Sequence, residues 1–254
     1  MIACCRHGAL WALLTALCLP AALRAATYSA LAFDNGTIQP GGPRNFSNGK
    51  NYFNMEGFHN NTFASFGVAD FNTSALVDGS GNVMPSTPTG LNAITISLSQ
   101  ANASFTNAGA LNFYLAEDVT TSIQPADAAV LFDPNDPKGE GLNGQLAPVH
   151  FLGSGAFTGT YNPVDTSGTA DTFTFPPDNT TQLDPATVAY VLAVLTTVNT
   201  DGSVGGPLRV LVTPADPDVA ATYAGFSNTL YINANFPNGV PVIGPTITLD
   251  VSFN

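Results

Sequence analysis

Apolar and polar residues alternate strictly along four segments of the chain. A half-buried β-strand places successive side chains on opposite faces of a sheet, so strict alternation predicts strands. In residues 93–99, one face carries Ile94 and Ile96. The opposite face carries Thr95 and Ser97. The same alternation recurs at 110–115, 208–212 and 247–253. The four segments are typical of sandwich strands, most of them with one face in water.

Less regular patterns predict further strands. Residues 62–71 carry large apolar side chains on both faces, which indicates a strand that is covered on both sides. Weaker patterns predict strands at 28–34, 50–56, 128–132, 149–161 and 171–175. Runs rich in Pro, Gly, Asn and Asp separate these segments and indicate turns. Many short strands with such turns predict an all-β fold, specifically an antiparallel β-sandwich of the jelly-roll type.

One segment has the period of a helix. Asp184 is a favourable N-cap residue, and Pro185 suits the first helical position. Apolar residues then recur at helical spacing until Asp201-Gly202, which is a stop signal. These apolar residues are Val188, Val191, Leu192 and Leu195. The pattern predicts a single short helix, at about 185–197, whose apolar stripe packs on the sandwich.

The first 25 residues have the pattern of a secretory signal peptide. Basic residues precede an apolar run, Gly8–Leu23, and small residues follow it. The run is shorter than the roughly 20 residues that span a bilayer, and Pro20 interrupts it. We therefore expect a signal peptide at 1–25 and a single domain at 26–254. The expected product is secreted or extracellular, with no membrane insertion after cleavage.

Composition narrows the chemistry of the expected mature domain. All three cysteines and the only tryptophan lie within the first 25 residues. The remainder carries all 18 acidic residues but four of the six basic ones, a formal net charge of −14. Such a charge argues against nucleic acid and anionic lipid as partners. The mature domain also has no disulfide and no thiol nucleophile.

The sequence contains no complete catalytic motif. Gly153-Ser154-Gly155 lacks the glycines that a nucleophile elbow has two residues either side of its serine. His59 and His150, without a cysteine, are too few to hold a catalytic zinc. A pair of carboxylates for glycoside cleavage stays open as an alternative, because the separation it requires is spatial and not sequential.

The loop at 133–140 is rich in oxygen donors that suit a hard cation. Calcium takes about six to eight oxygen ligands from carboxylates and carbonyls. The candidate Ca²⁺ ligands are Asp133, Asn135, Asp136 and Glu140. The alternative for this loop is a turn in which Asp and Asn side chains bond to their own backbone.

Tyrosines are the candidate platforms for binding a sugar ring, since the expected mature domain has no tryptophan. Tyr114 is the first candidate because it lies on the polar face of a regular strand. Tyr52 and Tyr161 are further candidates. The alternative for each is a tyrosine that packs across the face of a sheet.

Several segments together resemble the DNRLRE-type domain, and the likeness covers most of the chain after residue 25. These segments are Asn51–Gly57, Phe63–Phe71, Ile94–Leu98, Leu111–Leu115, Tyr223–Phe226 and Gly244–Val251. The resemblance implies an extracellular bacterial jelly-roll module, similar in architecture to carbohydrate-binding modules. The chain is also similar to secreted bacterial proteins that carry this domain with a PEP-CTERM surface-sorting segment, although we expect this chain to lack that segment.

From these observations we expect a secreted, non-catalytic β-sandwich protein with a structural or adhesive role at the cell surface or in the matrix. Its expected partners are extracellular polysaccharide or other surface proteins. One alternative is a carbohydrate-binding module, which would present an exposed aromatic residue on a sheet face. A second alternative is a glycoside hydrolase, which would bring two carboxylates together in a cleft.

Overall fold

The computed structural model describes residues 24–43, 52–85, 87–100, 106–123, 131–136, 138–159, 170–176, 182–226, 230–233, 236–241 and 243–254. Its strands are β1 (Arg24–Gln39), β2 (Gly42–Pro43), β3 (Tyr52–Glu56), β4 (Phe66–Asn72), β5 (Gly90–Ser99), β6 (Gly109–Ala116), β7 (Val149–Phe157), β8 (Ala170–Phe175), β9 (Pro207–Pro214), β10 (Ala220–Ala224), β11 (Leu230–Asn233), β12 (Phe236–Pro241) and β13 (Thr246–Phe253). One α-helix, α1 (Pro185–Leu195), precedes β9. Short 3₁₀ turns occupy Phe58–Phe63, Thr73–Ala75 and Gly144–Leu146.

Eight strands form one antiparallel sheet that is nearly closed into a barrel. The strand order is β7-β6-β9-β4-β1-β13-β5-β8, and β2 pairs with β1 at the side. Strand β1 joins the two halves of the sheet. Its residues 24–31 pair with β13, and its residues 32–38 pair with β4 after a bulge between Ala32 and Asp34. The remaining strands form two ribbons, β3 with β10 and β11 with β12.

The predicted all-β class and antiparallel pairing are confirmed, whereas the jelly-roll sandwich is not. A sandwich would have two separate sheets facing each other. Here a single long strand, β1, belongs to both halves, so the chain curls one sheet around one core. Alternation shows which face of a strand is buried but not which strands lie beside it, and this is why the sequence pattern did not distinguish the two arrangements.

The barrel closes between β7 and β8 by side-chain packing. No ladder joins these two strands among the pairings of the described residues. Instead, the Phe113 ring of β6 lies 4.5 Å from the Phe173 ring and 5.2 Å from the Phe175 ring, both on β8. Gly153 of β7 leaves room for this, because a Cβ there would lie 2.7 Å from a ring carbon of Phe175. Aromatic rings therefore fill the seam that backbone hydrogen bonds leave open.

The barrel interior is lined by the apolar faces that alternation predicts. The four regular segments form β5, β6, β9 and β13, and their apolar residues are buried together in one core. These residues include Ile94, Ile96, Leu98, Leu111, Phe113, Leu115, Leu208, Val210, Val212, Ile247, Leu249 and Val251. The alternation therefore identified the core-facing side of each of these strands correctly.

The two ends of the barrel are covered differently. Helix α1 packs where β5, β7 and β9 begin, and buries Val191 and Leu195 in the core. The predicted helix is thus confirmed, with its end at Leu195. The β3–β10 ribbon lies at the other end and inserts Phe53 and Tyr223. The Tyr223 hydroxyl donates a hydrogen bond of 2.8 Å to Asp171 at the start of β8.

A second, smaller core lies outside the barrel. The chain between β6 and β7 crosses the outer faces of β4, β6 and β9, and places Leu131 and Leu146 against Phe66, Val68 and Leu211. Strand β4 is therefore buried on both faces, as its sequence pattern predicts. The strand predicted at 62–71 begins later than expected, at 66, because residues 58–63 form a 3₁₀ turn.

The weaker strand predictions have mixed outcomes. Segments 28–34, 50–56, 149–161 and 171–175 overlap β1, β3, β7 and β8. Of the segment 128–132, residues 128–130 lie outside the described part of the chain, and Phe132 makes an isolated bridge to Leu142. In the part of the chain that the structure describes, no helix has both the length and the apolar character needed to cross a membrane.

Candidate functional site

Tyr114 lies on the outer face of β6, beneath the segment that carries the second core. Its side chain is 4% exposed, and so is that of Glu140. The Tyr114 hydroxyl donates to both carboxylate oxygens of Glu140, at 3.0 and 3.1 Å. Asn112 donates a further hydrogen bond to Glu140. Burial, reinforced by the nearby Glu140 carboxylate, raises the pKa of Tyr114 far above its usual value, so the phenol stays a donor.

In this arrangement Tyr114 has a structural role. The contact joins the chain between β6 and β7, which we call the covering segment, to the barrel. Glu140 belongs to the covering segment, and Tyr114 belongs to β6. The ring packs beside Phe151 at 5.1 Å and presents almost none of its surface to solvent. A sugar ring would need an accessible aromatic face to stack on, and Tyr114 does not offer one in this conformation.

The predicted calcium ligands are turned toward backbone and side-chain donors. The Asp133 carboxylate accepts from the backbone N–H of Asn135 at 2.8 Å. The Asp136 carboxylate accepts from the backbone N–H groups of Lys138 and Glu140, at 3.3 and 3.2 Å. These are the bonds of Asp-initiated turns. Within the described ranges, no cluster of three or more His, Cys, Asp or Glu side chains is arranged to hold a metal ion.

The other two predicted sugar-binding tyrosines are Tyr52 and Tyr161. Tyr52 begins β3 and is half-buried, and its backbone carbonyl accepts from Asn35 at 3.3 Å. Tyr161 lies outside the residues that the structure describes.

Each of the two histidines in the described part of the chain is paired with a carboxylate. His59 Nδ1 lies 2.8 Å from an oxygen of Asp218, and both side chains are exposed. His150 Nε2 lies 2.9 Å from an oxygen of Glu117, and its ring stacks on Tyr190 at 5.0 Å. Burial raises the pKa of Tyr190 to about 12, and the Glu117 carboxylate adds to the effect.

A buried ion pair anchors the segment that follows β6. Arg209 on β9 donates to both oxygens of Asp70 on β4, at 2.7 and 2.8 Å. The same guanidinium donates to the backbone carbonyls of Asp118 and Thr121, at 3.1 and 2.9 Å. Sequence reasoning did not identify this pair, because the two residues become neighbours only through the β4–β9 ladder, in which Asp70 is paired with Arg209.

The outer side of β8, β5, β13 and the first half of β1 is a polar surface, which we call the hydroxyl face. Its outward side chains are Thr27, Ser29, Asn92, Thr95, Ser97, Thr172, Thr174, Thr246, Thr248 and Asp250. All of them are exposed or half-buried. Asp250 is the single charged side chain among these outward positions, and it accepts a hydrogen bond of 3.0 Å from Asn92.

Hydroxyl groups run across this face in register. One row, from β1 to β8, consists of Ser29, Thr248, Thr95 and Thr174. A second row, from β13 to β8, consists of Thr246, Ser97 and Thr172. The Ser29 and Thr248 hydroxyl oxygens are 2.7 Å apart, and those of Thr95 and Thr174 are 3.0 Å apart. These mutual hydrogen bonds hold the side chains in place and leave each hydroxyl with further hydrogen-bonding capacity.

A cleft of about 710 Å³ borders the hydroxyl face beside α1. Asn92, Asp250 and Thr174 belong to both the face and the cleft. The helix supplies apolar side chains to the opposite wall, including Val188 and Leu192. The volume lies within the range of small-molecule sites, roughly 300–1,000 Å³. The arrangement can offer hydrogen bonds on one side and an apolar wall on the other.

A signal for the hydroxyl face is present in the sequence. The polar positions of 93–99 and 247–253 are mainly Thr and Ser, and such alternating strands turn their polar positions toward water. What the pattern could not indicate is that these strands are neighbours. Ser29 and Thr248, for example, are 219 residues apart in the chain.

Comparisons with known proteins do not place the chain in a family. No family model matches it. A search of curated proteins finds no match either. The resemblance to the DNRLRE-type domain therefore rests on the sequence segments alone.

Proposed function

We propose that this protein is a non-catalytic extracellular adhesive protein that binds a neutral polysaccharide through its hydroxyl face. The observation that carries the proposal is the pair of hydroxyl rows on four adjacent strands. The extracellular location rests on the signal-peptide pattern of residues 1–25.

The chemistry of the face suits a polymer of sugars. Each Ser or Thr hydroxyl both donates and accepts hydrogen bonds, as sugar hydroxyls do. Neighbouring strands are about 4.8 Å apart and residues on one face of a strand about 6.8 Å apart, so the face offers a regular array of partners. A repeating polymer can engage such an array at several points, and the weak contacts then add up.

Rigidity of the face supports binding. Threonine is branched at Cβ and stiff at χ1, and the hydroxyls of Thr95 and Thr174 also hold one another. A side chain that is already ordered loses little entropy when a ligand binds. The face therefore needs fewer new hydrogen bonds to reach a given affinity than a surface of flexible lysines or glutamates would.

Electrostatics favours a neutral ligand. The chain after residue 25 has a formal net charge of −14, and Asp250 is the only charged outward residue of the hydroxyl face within the described strands. A polyanion would be repelled by the whole molecule, whereas an uncharged polymer would not.

The non-catalytic part of the proposal is supported by the way ionisable groups are used. The buried pair Asp70–Arg209 and the buried contact between Glu140 and Tyr114 hold the covering segment on the barrel. A glycoside hydrolase would instead need two carboxylates facing each other across a cleft. The cleft beside α1 contains Asp250 as its one carboxylate among the described lining residues.

The test is a binding assay of the purified protein with insoluble cellulose, chitin and β-1,3-glucan. We expect the wild type to bind at least one of them. Thr95→Val with Thr174→Val removes two hydroxyls without changing side-chain shape, and should weaken binding about tenfold or more. The control is Thr62→Val with Thr87→Val, two exposed threonines outside the face, which should bind like the wild type. Absence of binding by the wild type, or equal binding by both double variants, would overturn the proposal.

A further inference from the structure

An exposed aromatic side chain stands at the edge of the hydroxyl face. Phe33 lies in the bulge of β1 and is 52% exposed, and Leu31 is 59% exposed. Their neighbours Ala30 and Ala32 point into the core, so the strand turns both large side chains outward. Neighbouring exposed apolar side chains form a patch, and contiguous apolar patches mark binding surfaces more often than single exposed residues do.

These two side chains continue the hydroxyl face. Leu31 is paired with Thr246, and Thr246 with Ser97, in the second hydroxyl row. Phe33 is the next outward residue of β1 after Leu31. A polymer that lies along the hydroxyl rows therefore reaches Phe33 at one end without leaving the surface.

A cleft of about 470 Å³ opens beside Phe33. Its lining includes Leu31, Phe33, Asn72, Ala75, Asn199 and Pro207. The walls are held by hydrogen bonds between the 3₁₀ turn after β4 and the loop before β9. The Thr73 hydroxyl donates to the carbonyl of Gly206 at 2.8 Å, and the Thr73 N–H donates to the same carbonyl at 3.1 Å. The cleft is therefore already formed without a ligand.

Two carboxamides line this cleft, and each is held through one half of its amide group while no described residue hydrogen-bonds the other half. Asn72 Oδ1 accepts from the N–H and the hydroxyl of Ser74, at 3.1 and 2.8 Å. This leaves its NH₂ as a donor. Asn199 Nδ2 donates to Ser203 Oγ and to the carbonyl of Gly205, at 3.0 and 2.7 Å. This leaves its Oδ1 as an acceptor. No charged side chain is among the described residues that line the cleft.

We infer that this cleft is a subsite for one pyranose ring of a neutral polysaccharide, with Phe33 as its stacking platform. A pyranose has a face of C–H groups, which packs on an aromatic ring, and an edge of hydroxyls, which both donate and accept. Phe33 and Leu31 can pack against the C–H face of the sugar. Asn72 and Asn199 can form hydrogen bonds with its hydroxyl edge. The inference rests on the proposed function and identifies the residue that would give its surface a preference for a sugar ring.

The experiment measures binding of cellohexaose and chitohexaose by the purified protein, using calorimetry. Phe33→Ala should weaken binding of the preferred oligosaccharide roughly tenfold, and Phe33→Trp should retain it. The matched control is Phe151→Ala, which removes another strand phenylalanine of similar exposure, 53%, on β7. This control should bind like the wild type. Thermal melts of each variant show that it is folded, which is expected because both rings are exposed.

The outcomes separate the subsite from the proposed function. If Thr95→Val with Thr174→Val weakens polysaccharide binding while Phe33→Ala binds like Phe151→Ala, the subsite is wrong and the hydroxyl face stands. If Phe33→Ala alone weakens binding, the subsite stands and the hydroxyl rows are not the binding surface. If Phe33→Ala instead converts a dimer into a monomer in light scattering, with oligosaccharide binding unchanged, Phe33 is a contact between copies of the chain and the inference is overturned.

Discussion

At the scale of single residues, two buried side-chain pairs, Asp70–Arg209 and Tyr114–Glu140, join distant parts of the chain. Arg209 is 2% exposed and satisfies its donors with the Asp70 carboxylate and two backbone carbonyls. Glu140 is buried with Tyr114 as its donor. A buried charge or hydrogen-bonding group without a partner costs several kcal/mol, so each pair constrains the structure around it.

Replacing Arg209 should therefore be strongly destabilising. In Arg209→Met the Asp70 carboxylate loses its cation, and the carbonyls of Asp118 and Thr121 lose a donor. We expect the free energy of unfolding, measured by urea denaturation, to fall by about 3–5 kcal/mol. Asp70→Asn combined with Arg209→Met removes both charges together and should recover part of the loss. A single variant that stays within about 1 kcal/mol of the wild type would contradict the role assigned to the pair.

At the scale of elements, a bulge determines how β1 pairs, and an N-cap determines where α1 begins. Strand β1 is 16 residues long and changes partner at one bulge, and this change lets the sheet curl. Helix α1 begins at a cap in which the Asp184 carboxylate accepts from the N–H groups of Ala186 and Thr187, at 3.0 and 3.1 Å. An N-cap satisfies donors that the first helical turn would otherwise leave without partners.

The cap of α1 gives a prediction for a single side chain. Asp184→Ala removes both capping hydrogen bonds and should lower the free energy of unfolding by about 1 kcal/mol. Asp184→Asn keeps an oxygen that can accept the same bonds and is the matched control, so it should lose much less. The comparison is made by chemical denaturation of the two variants and the wild type. Equal losses in Asp184→Ala and Asp184→Asn would show that the charge, and not the cap, is what matters.

At the scale of the whole molecule, acidic residues far outnumber basic ones, and several carboxylates serve as backbone caps. Burial of Asp118 acts to raise its pKa, but hydrogen bonds from Thr120 and Thr121 outweigh it and lower the pKa to about 2. Hydrogen bonds from Asn82 and Ser203 likewise lower the pKa values of Asp78 and Asp201. Carboxylates of this kind stabilise the folded state only while they are ionised.

The protein should accordingly lose stability in acid, partly through Asp118. Its pKa is lower in the folded chain than the usual value of 3.8, so its contribution is complete above pH about 4 and is lost as the pH falls toward 2. We expect the wild type to have a higher free energy of unfolding than Asp118→Asn at pH 5. Near pH 2 the two proteins should have similar free energies of unfolding. Urea denaturation across this range measures the difference. A difference that stays constant over the range would contradict the assignment.

Local patterns were sufficient for the most regular elements, but they did not predict β10, β11 or β12. The alternation of 93–99 identified β5 and its buried face, and the cap, proline and apolar spacing around 184–195 identified α1. Both depend on residues close together in the chain, because periodicity records which side of an element meets the core. Local patterns were not sufficient for the candidate site. Tyr114 lies on the polar face of its strand, where the alternation predicts a residue exposed to water. In the structure the segment after β6 covers it.

What the sequence determined by itself is thus the identity of α1 and of most strands of the main sheet, the buried faces of the four regularly alternating strands, and the acidic charge of the molecule. Only the tertiary structure decided that β1 joins two halves of one sheet, that Glu140 meets Tyr114, and that the hydroxyls of four strands form one surface. The physical reason is that a side-chain period reports the local environment of a segment, whereas pairing depends on contacts between residues as distant as Ser29 and Thr248.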